Sequence, residues 1–263
     1  MARAHMVYLN QNENPRFTTE VPSRDLRFMQ QLRNDYPLHN FERLAPLLSD
    51  LRMVKEDEEV SQIIKACEIT GSAFNRVLNF VKPGVMEYEV EAEITHEFVR
   101  NGANGHAYPP IIASGADTCI LHYNSNDKKC LDGHLLLLDF GAEYANYAGD
   151  CSRTIPVNGK FTPRQRQVYE AVLRVLRKAS RMLVPGTTID KYHAEVCKIM
   201  EKELIGLGLF TEEDVLNQDP ASPLFFKYYM HGTSHFMGLD VHDVGTKQHT
   251  LAKGMVLSCE PGI

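Results

Sequence analysis

Four stretches of this sequence gather side chains of the kinds that bind metal ions or move protons. In the first, the run Leu135-Leu136-Leu137-Leu138 leads directly into Asp139. A carboxylate ending so apolar a run is costly to bury unless it is paired, hydrogen-bonded or bound to a cation. Asp150 follows eleven positions later, in YAGDCSRT. If segments 135–144 and 150–157 pair as antiparallel strands, their short connection brings the two carboxylates together. Like charges that close call for a cation between them, and hard oxygen donors suit Mn, Mg or Zn. Read alone, either Asp could instead cap a turn at a sheet edge.

The third stretch, MHGTSHFMGLDVHDVG, holds His231, His235 and His242 within twelve residues. Glycines interrupt it and let backbone approach a ligand. On a strand, His231 and His235 would share a face, being an even number of positions apart. Histidines so clustered suit metal binding and proton transfer alike. The zinc helix of the HExxH type is excluded, since Gly232 stands where its catalytic Glu would be. Fourth, Glu260 lies in VLSCEPGI, an apolar run broken by Pro261-Gly262. By itself it could be a strand-end residue facing water, and His122, in CILHYN, could belong to core or surface. No GxxxxGK[ST] loop or GxGxxG turn offers a phosphate cradle. There is no GxSxG elbow, and no cysteine has the surroundings of a nucleophile. Carboxylate–histidine metal chemistry is what remains.

Positioning these residues requires a mixed fold. Residues 1–38 show poor periodicity and many Asn, Pro and Arg, which reads as an irregular arm, with a short helix near 41–51. Val60, Ile63, Ile64, Cys67, Phe74, Val77, Leu78 and Val81 recur at three- and four-residue steps, predicting a long helix stopped by Pro83-Gly84. A second helix is predicted over 87–100, ending at Asn101-Gly102. Short strands are expected at 108–113, 119–123, 135–144 and 150–157. Helices return at 163–183 and 189–204, and residues 228–263 are rich in Gly, His and β-formers. An internal echo links VKPGVMEYEVEAEI with LVPGTTIDKYHAEV: Pro83 and Pro185 both stand nine residues before an alanine, at an offset of 102. That offset is too long for a solenoid and suits a duplicated α+β half.

Composition narrows the partners. The 263 residues carry 28 basic and 34 acidic side chains, a net charge of -6, without the concentrated positive charge that nucleic acid or an anionic membrane would require. No apolar stretch approaches the ~18 residues of a membrane span, and the N-terminus is not signal-like. The six cysteines form no CxxC pair, so reduced thiols in a cytoplasm are expected.

The order Asp139, Asp150, His235, Glu260 resembles the ligand series of the pita-bread metallopeptidases, which include methionine aminopeptidase, prolidase and Xaa-Pro aminopeptidase. HGTSHFMGLDVHD is its most specific piece, and with LLLLDFGAEYANYAGDCSRT and CEPGI it is similar to the Xaa-Pro aminopeptidase/prolidase branch. The resemblance covers residues from about 54 to the last. It implies an α+β pita-bread (creatinase/methionine aminopeptidase-like) fold, with two pseudo-symmetric halves around a curved antiparallel sheet. The catalytic domain would span 53–263, with 1–52 an irregular arm or remnant of an N-terminal domain.

By the same resemblance, Asp139, Asp150, His235 and Glu260 are ligands of two divalent ions, commonly Mn(2+), with Asp150 bridging. A metal-bridging hydroxide would attack, and Glu260 would also move its proton. His122 and His242 would line the substrate side, and His231 would sit beside the ligands as a proton-transfer group. The implied activity is hydrolysis of the N-terminal residue from peptides with penultimate proline. A prolidase cutting Xaa-Pro dipeptides is the alternative within the family, and a non-catalytic peptide-binding module the alternative outside catalysis. The family carries a fifth ligand, a bridging Glu on a later strand. The sequence reaches Ile263 before it, so the domain is expected to be C-terminally incomplete. The intact protein is expected to form homo-oligomers.

Overall fold

The protein is described here by a computed structural model covering residues 4–11 and 20–263, and its chain divides between Met53 and Val54 into two units. In the first, β1 (Met6–Leu9) pairs in parallel with β2 (Asn40–Arg43), and two helices follow the strands, α1 (Arg24–Asp35) and α2 (Ala45–Met53). The arm expected to be irregular is therefore largely regular, although residues 1–3 and 12–19 of it lie outside the described residues. The reason is local. Helix α1 buries no side chain fully, and its apolar residues Leu26, Met29 and Leu32 are only half-buried. It is held by capping instead, with Ser23 Oγ accepting the Leu26 N–H at 3.1 Å.

The second unit begins with α3 (Asp57–Phe80), packed on α4 (Glu87–Arg100). The stripe that α3 buries differs from the one its large apolar residues predict. Ile63, Ala66, Ile69, Thr70, Ala73 and Val77 face inward, while Ile64 and Leu78 are about half exposed. Small residues are required there because the helix lies directly against backbone: a Cβ on Gly149 would meet Ala66 backbone at 3.1 Å and Thr70 Oγ1 at 2.8 Å.

Beyond α4 the chain forms β3 (Gly105–His106), β4 (Ile111–Ser114), β5 (Leu135–Phe140), β6 (Ala142–Tyr144), β7 (Tyr147–Ala148) and β8 (Cys151–Pro156). They make two antiparallel three-stranded sheets, ordered β3-β6-β7 and β4-β5-β8. Pro109 and Pro110 split the strand expected over 108–113, since neither can donate to a ladder. The strand expected at 119–123 is not formed. A single 3-10 turn, Gly115–Cys119, runs instead into a loop where His122 adopts φ 55° and Asn126 φ 46°.

Helices α5 (Pro163–Met182) and α6 (Ile189–Gly206) repeat the pairing of α3 with α4. Thr162 and Gln165 close a capping box on α5, with Pro163 at its first turn. The sequence echo is visible in backbone bonding. Gly84 N–H donates to Cys130 O and Cys130 N–H to Val85 O, each at 2.8 Å; in the second half Gly186 and Thr187, 102 residues after Gly84 and Val85, make the same pair of bonds, Gly186 N–H to Leu251 O and Leu251 N–H to Thr187 O, at 2.9 and 2.8 Å. A short helix, α7 (Glu212–Leu216), follows. The two halves keep separate cores, one around Ile94, Phe98, Leu136 and Phe140, the other around Val175, Tyr192, Met200 and Tyr229.

Candidate metal centre

Asp139 is the fifth residue of β5, whose leucines alternate between buried and half-buried positions. β8 pairs with β5 in the register Asp139 to Ser152 and Phe140 to Cys151, so Asp150 enters the sheet beside Asp139. Two glycines allow the approach. A Cβ on Gly141 would stand 1.8 Å from the carbonyl oxygen of Gly149, a distance no side chain survives. The Gly149 N–H donates to Ala142 O at 2.8 Å across this crossing. The phenol of Tyr108 then joins the carboxylates, 2.7 Å from Asp139 Oδ1 and 2.9 Å from Asp150 Oδ1, its one proton shared between them.

The other half supplies His235 and Glu260 without regular strands. Met237 N–H donates to Val256 O, Ser258 N–H to His235 O, and Glu260 N–H to Thr233 O, at 3.0, 3.0 and 2.9 Å. This antiparallel contact sets His235 and Glu260 side by side. His235 Nε2 lies 3.1 Å from Asp150 Oδ2 and 3.1 Å from Glu260 Oε1. Its Nδ1 faces Phe236 O at 3.0 Å, which fixes the ring with Nε2 toward the carboxylates. Ser258 Oγ donates to Glu260 Oε1 at 2.9 Å and accepts the His235 N–H at 3.0 Å.

Charge is crowded here. Burial, reinforced by Asp150 and Glu260, lifts Asp139 to about 6 despite the hydrogen bond from Tyr108. Burial opposes ionisation of Asp150 as well, yet His235 and Tyr108 outweigh it and hold that carboxyl below its ordinary range. Burial also pushes His235 down, but its hydrogen bonds to Asp150 and Glu260 prevail and raise it to about 10. The imidazolium thus occupies the place a cation would take.

Asp150, His235 and Glu260 offer ligand atoms all within 4.8 Å of one another, and Asp139 is tied to this trio through Tyr108. Hard carboxylates around one imidazole are a donor set suited to Mn, Zn or a similar divalent ion. His242 stacks on His235 with ring centroids 4.1 Å apart. Burial, then the neighbouring His235, keeps it below the ordinary histidine value, and His122 lies close enough to push the same way. His231 and His235 do not share a strand face, since no regular strand forms there. His231 meets the Gly232 carbonyl at 2.9 Å and the edge of Tyr229, and Gly262 packs against it. Tyr108 and Ser258 carry no signal in the sequence beyond their types.

The family model of metallopeptidase family M24 matches residues 61–263. A Xaa-Pro aminopeptidase of Haemophilus influenzae is 43% identical over 223 residues, covering 83% of this chain and 51% of that protein. Zinc-substituted aminopeptidase P of Escherichia coli in complex with product superposes with a TM-score of 0.85 at 36% identity, over 98% of this chain and 59% of that one. Aminopeptidase P from E. coli with the inhibitor Pro-Leu gives a TM-score of 0.85 at 38% identity, over 98% and 59% of the two chains. The chain spans about half the length of the curated relatives it matches.

Proposed function

The chain belongs to metallopeptidase family M24, and from that premise we propose that it is the catalytic part of a dinuclear metal aminopeptidase that removes the residue ahead of a penultimate proline. The observation that carries this reading is the convergence of Asp139 and Asp150 from one half with His235 and Glu260 from the other. The names of its relatives, Xaa-Pro aminopeptidase and aminopeptidase P, support the substrate class.

Asp139, Asp150, His235 and Glu260 would hold two divalent ions, manganese by preference. Bound there, such ions would acidify a water and polarise the scissile carbonyl. Glu260, which accepts a hydrogen bond from Ser258, would take a proton and pass it on. His242, which burial and the neighbouring His235 hold below the ordinary histidine value, would donate an N–H toward the carbonyl oxygen. His122 would donate toward the departing proline nitrogen from the same side. His231 would hold the Glu260–Gly262 turn and relay protons outward. Six free cysteines suit a reducing compartment such as the cytoplasm, and no described helix is long and apolar enough to cross a membrane.

The test is hydrolysis by the manganese-loaded chain of Xaa-Pro-Xaa tripeptides, Xaa-Pro dipeptides and Xaa-Ala-Xaa tripeptides. Release of the first residue from the proline tripeptide, abolished in Asp150→Asn, is the expected result. Preference for the dipeptide would make it a prolidase. Peptide binding without cleavage under every metal tried would make it a binding module.

A further inference from the structure

Glu87 is fully buried, yet the metal chemistry does not use it. Its carboxylate opens α4 and accepts three hydrogen bonds: Ser114 N–H on Oε1 at 2.7 Å, and Tyr123 O–H and Lys128 N–H on Oε2 at 2.7 and 3.0 Å. Its own N–H donates to Lys128 O at 2.9 Å. A buried carboxylate is retained only where donors replace water. Here the donors come from the start, the middle and the end of one loop, residues 114–128.

That loop presents His122. The histidine is exposed and holds a left-handed φ of 55°, a conformation that costs a non-glycine residue about 1 kcal/mol or more and persists only where its surroundings impose it. Ile120 and Leu121 beside it are exposed too, so packing does not fix the segment. Its nearest anchor is Tyr123, the next residue, buried and bonded to Glu87. Lys128 reaches back to Asp117 at 2.6 Å, and Asn126 ties the far side to Ile112 N–H, Pro110 O and Glu91.

We propose that Glu87, acting through Tyr123, is a positioning residue that holds His122 toward the metal centre. The proposal rests on the reading of His122 as a group on the substrate side. It assigns a catalytic consequence to a helix-start carboxylate that touches neither metal nor substrate.

Tyr123→Phe is the first variant, because it removes one hydroxyl and keeps the buried ring; Glu87→Gln is the second. Hydrogen exchange and the His122 imidazole NMR signal are followed in the full chain, with His106 and His193 as internal references. Exchange at Ile120, Tyr123 and Lys128 N–H is expected to accelerate tenfold or more in Tyr123→Phe, while α4 and β5 stay within twofold. The His122 signal shifts or broadens and the reference signals do not. In the manganese-loaded enzyme kcat falls about tenfold with KM within twofold, and His122→Ala/Tyr123→Phe is no slower than His122→Ala. Unchanged loop exchange, acceleration spread equally over α4 and β5, or losses that add in the double variant would overturn the proposal. If His122→Ala itself leaves kcat unchanged, the substrate-side reading fails, and the clamp is judged by exchange and the NMR signal alone.

Discussion

Gly141→Ala is the perturbation whose size the structure sets most directly. A methyl at this position points at the Gly149 carbonyl oxygen from 1.8 Å, against ordinary contact at 3.4 Å and beyond, so the two segments must part by about 1.6 Å. Neither can yield cheaply. The obstructing atom is backbone, and behind Gly149 stand Ala66 and Thr70 of α3, both essentially buried. Overpacking of this kind costs roughly 1–3 kcal/mol. Losing the Gly149–Ala142 hydrogen bond adds about 1 kcal/mol, for a total near 3 kcal/mol. Asp139 and Asp150 sit on the two segments being parted, one to two residues from the glycines. Metal sites tolerate displacements of only about 0.2 Å, so affinity should fall at least tenfold. Urea unfolding gives the first quantity and calorimetric titration with manganese the second. Gly133→Ala, where a Cβ meets open space, serves as the control that loses some stability but no metal affinity. A Gly141→Ala protein within 0.5 kcal/mol of wild type and binding manganese unchanged would refute this account of the crossing.

Three other outcomes are expected. Tyr108→Phe keeps the ring but removes the hydroxyl shared by Asp139 and Asp150, and should weaken manganese binding about tenfold or more; calorimetry within twofold of wild type would contradict this. Lys55 and Asp243 form an ion pair at 2.9 Å with both side chains 1% exposed, so Lys55→Met should cost about 3 kcal/mol in urea unfolding, and Lys55→Met/Asp243→Leu should recover much of it. His235, raised to about 10, carries a proton at pH 7.5 that a metal must displace, so titrations in buffers of different ionisation enthalpy should show close to one proton released per ion bound there. In the metal-free chain His235, raised on folding, contributes its stability fully below about pH 6.5, and urea unfolding should show that stability lost as the pH climbs through about 10. Metal-loaded protein should lack this alkaline loss.

Asp139 and Glu260 stand out in the sequence because each ends an apolar run, where an unsatisfied carboxylate would be expensive, Asp150 through the pairing expected of segments 135–144 and 150–157, and His235 through the clustering of histidines. Tyr108 is not legible as part of the site, since it reads only as the first residue of the strand expected over 108–113 until the fold brings two carboxylates to its hydroxyl. The burial of α3 is misread for a related reason: close approach to Gly149 selects Ala66 and Thr70, and leaves the larger Ile64 and Leu78 toward solvent. In residues 20–53 the helix expected near 41–51 is present as α2, whereas α1 escapes because its apolar residues Leu26, Met29 and Leu32 are only half-buried. The strand expected at 119–123 fails because Tyr123 and Lys128 bond to Glu87, on a helix that precedes them by more than thirty positions.

The central claim is that Asp139, Asp150, His235 and Glu260 form one metal centre, and anomalous scattering from manganese-soaked crystals tests it most directly. The account predicts a peak coordinated by Asp150, His235 and Glu260, with a second between Asp139 and Asp150. Density without a peak there, with His235 still bonded to Asp150 and Glu260 at saturating manganese, would contradict it.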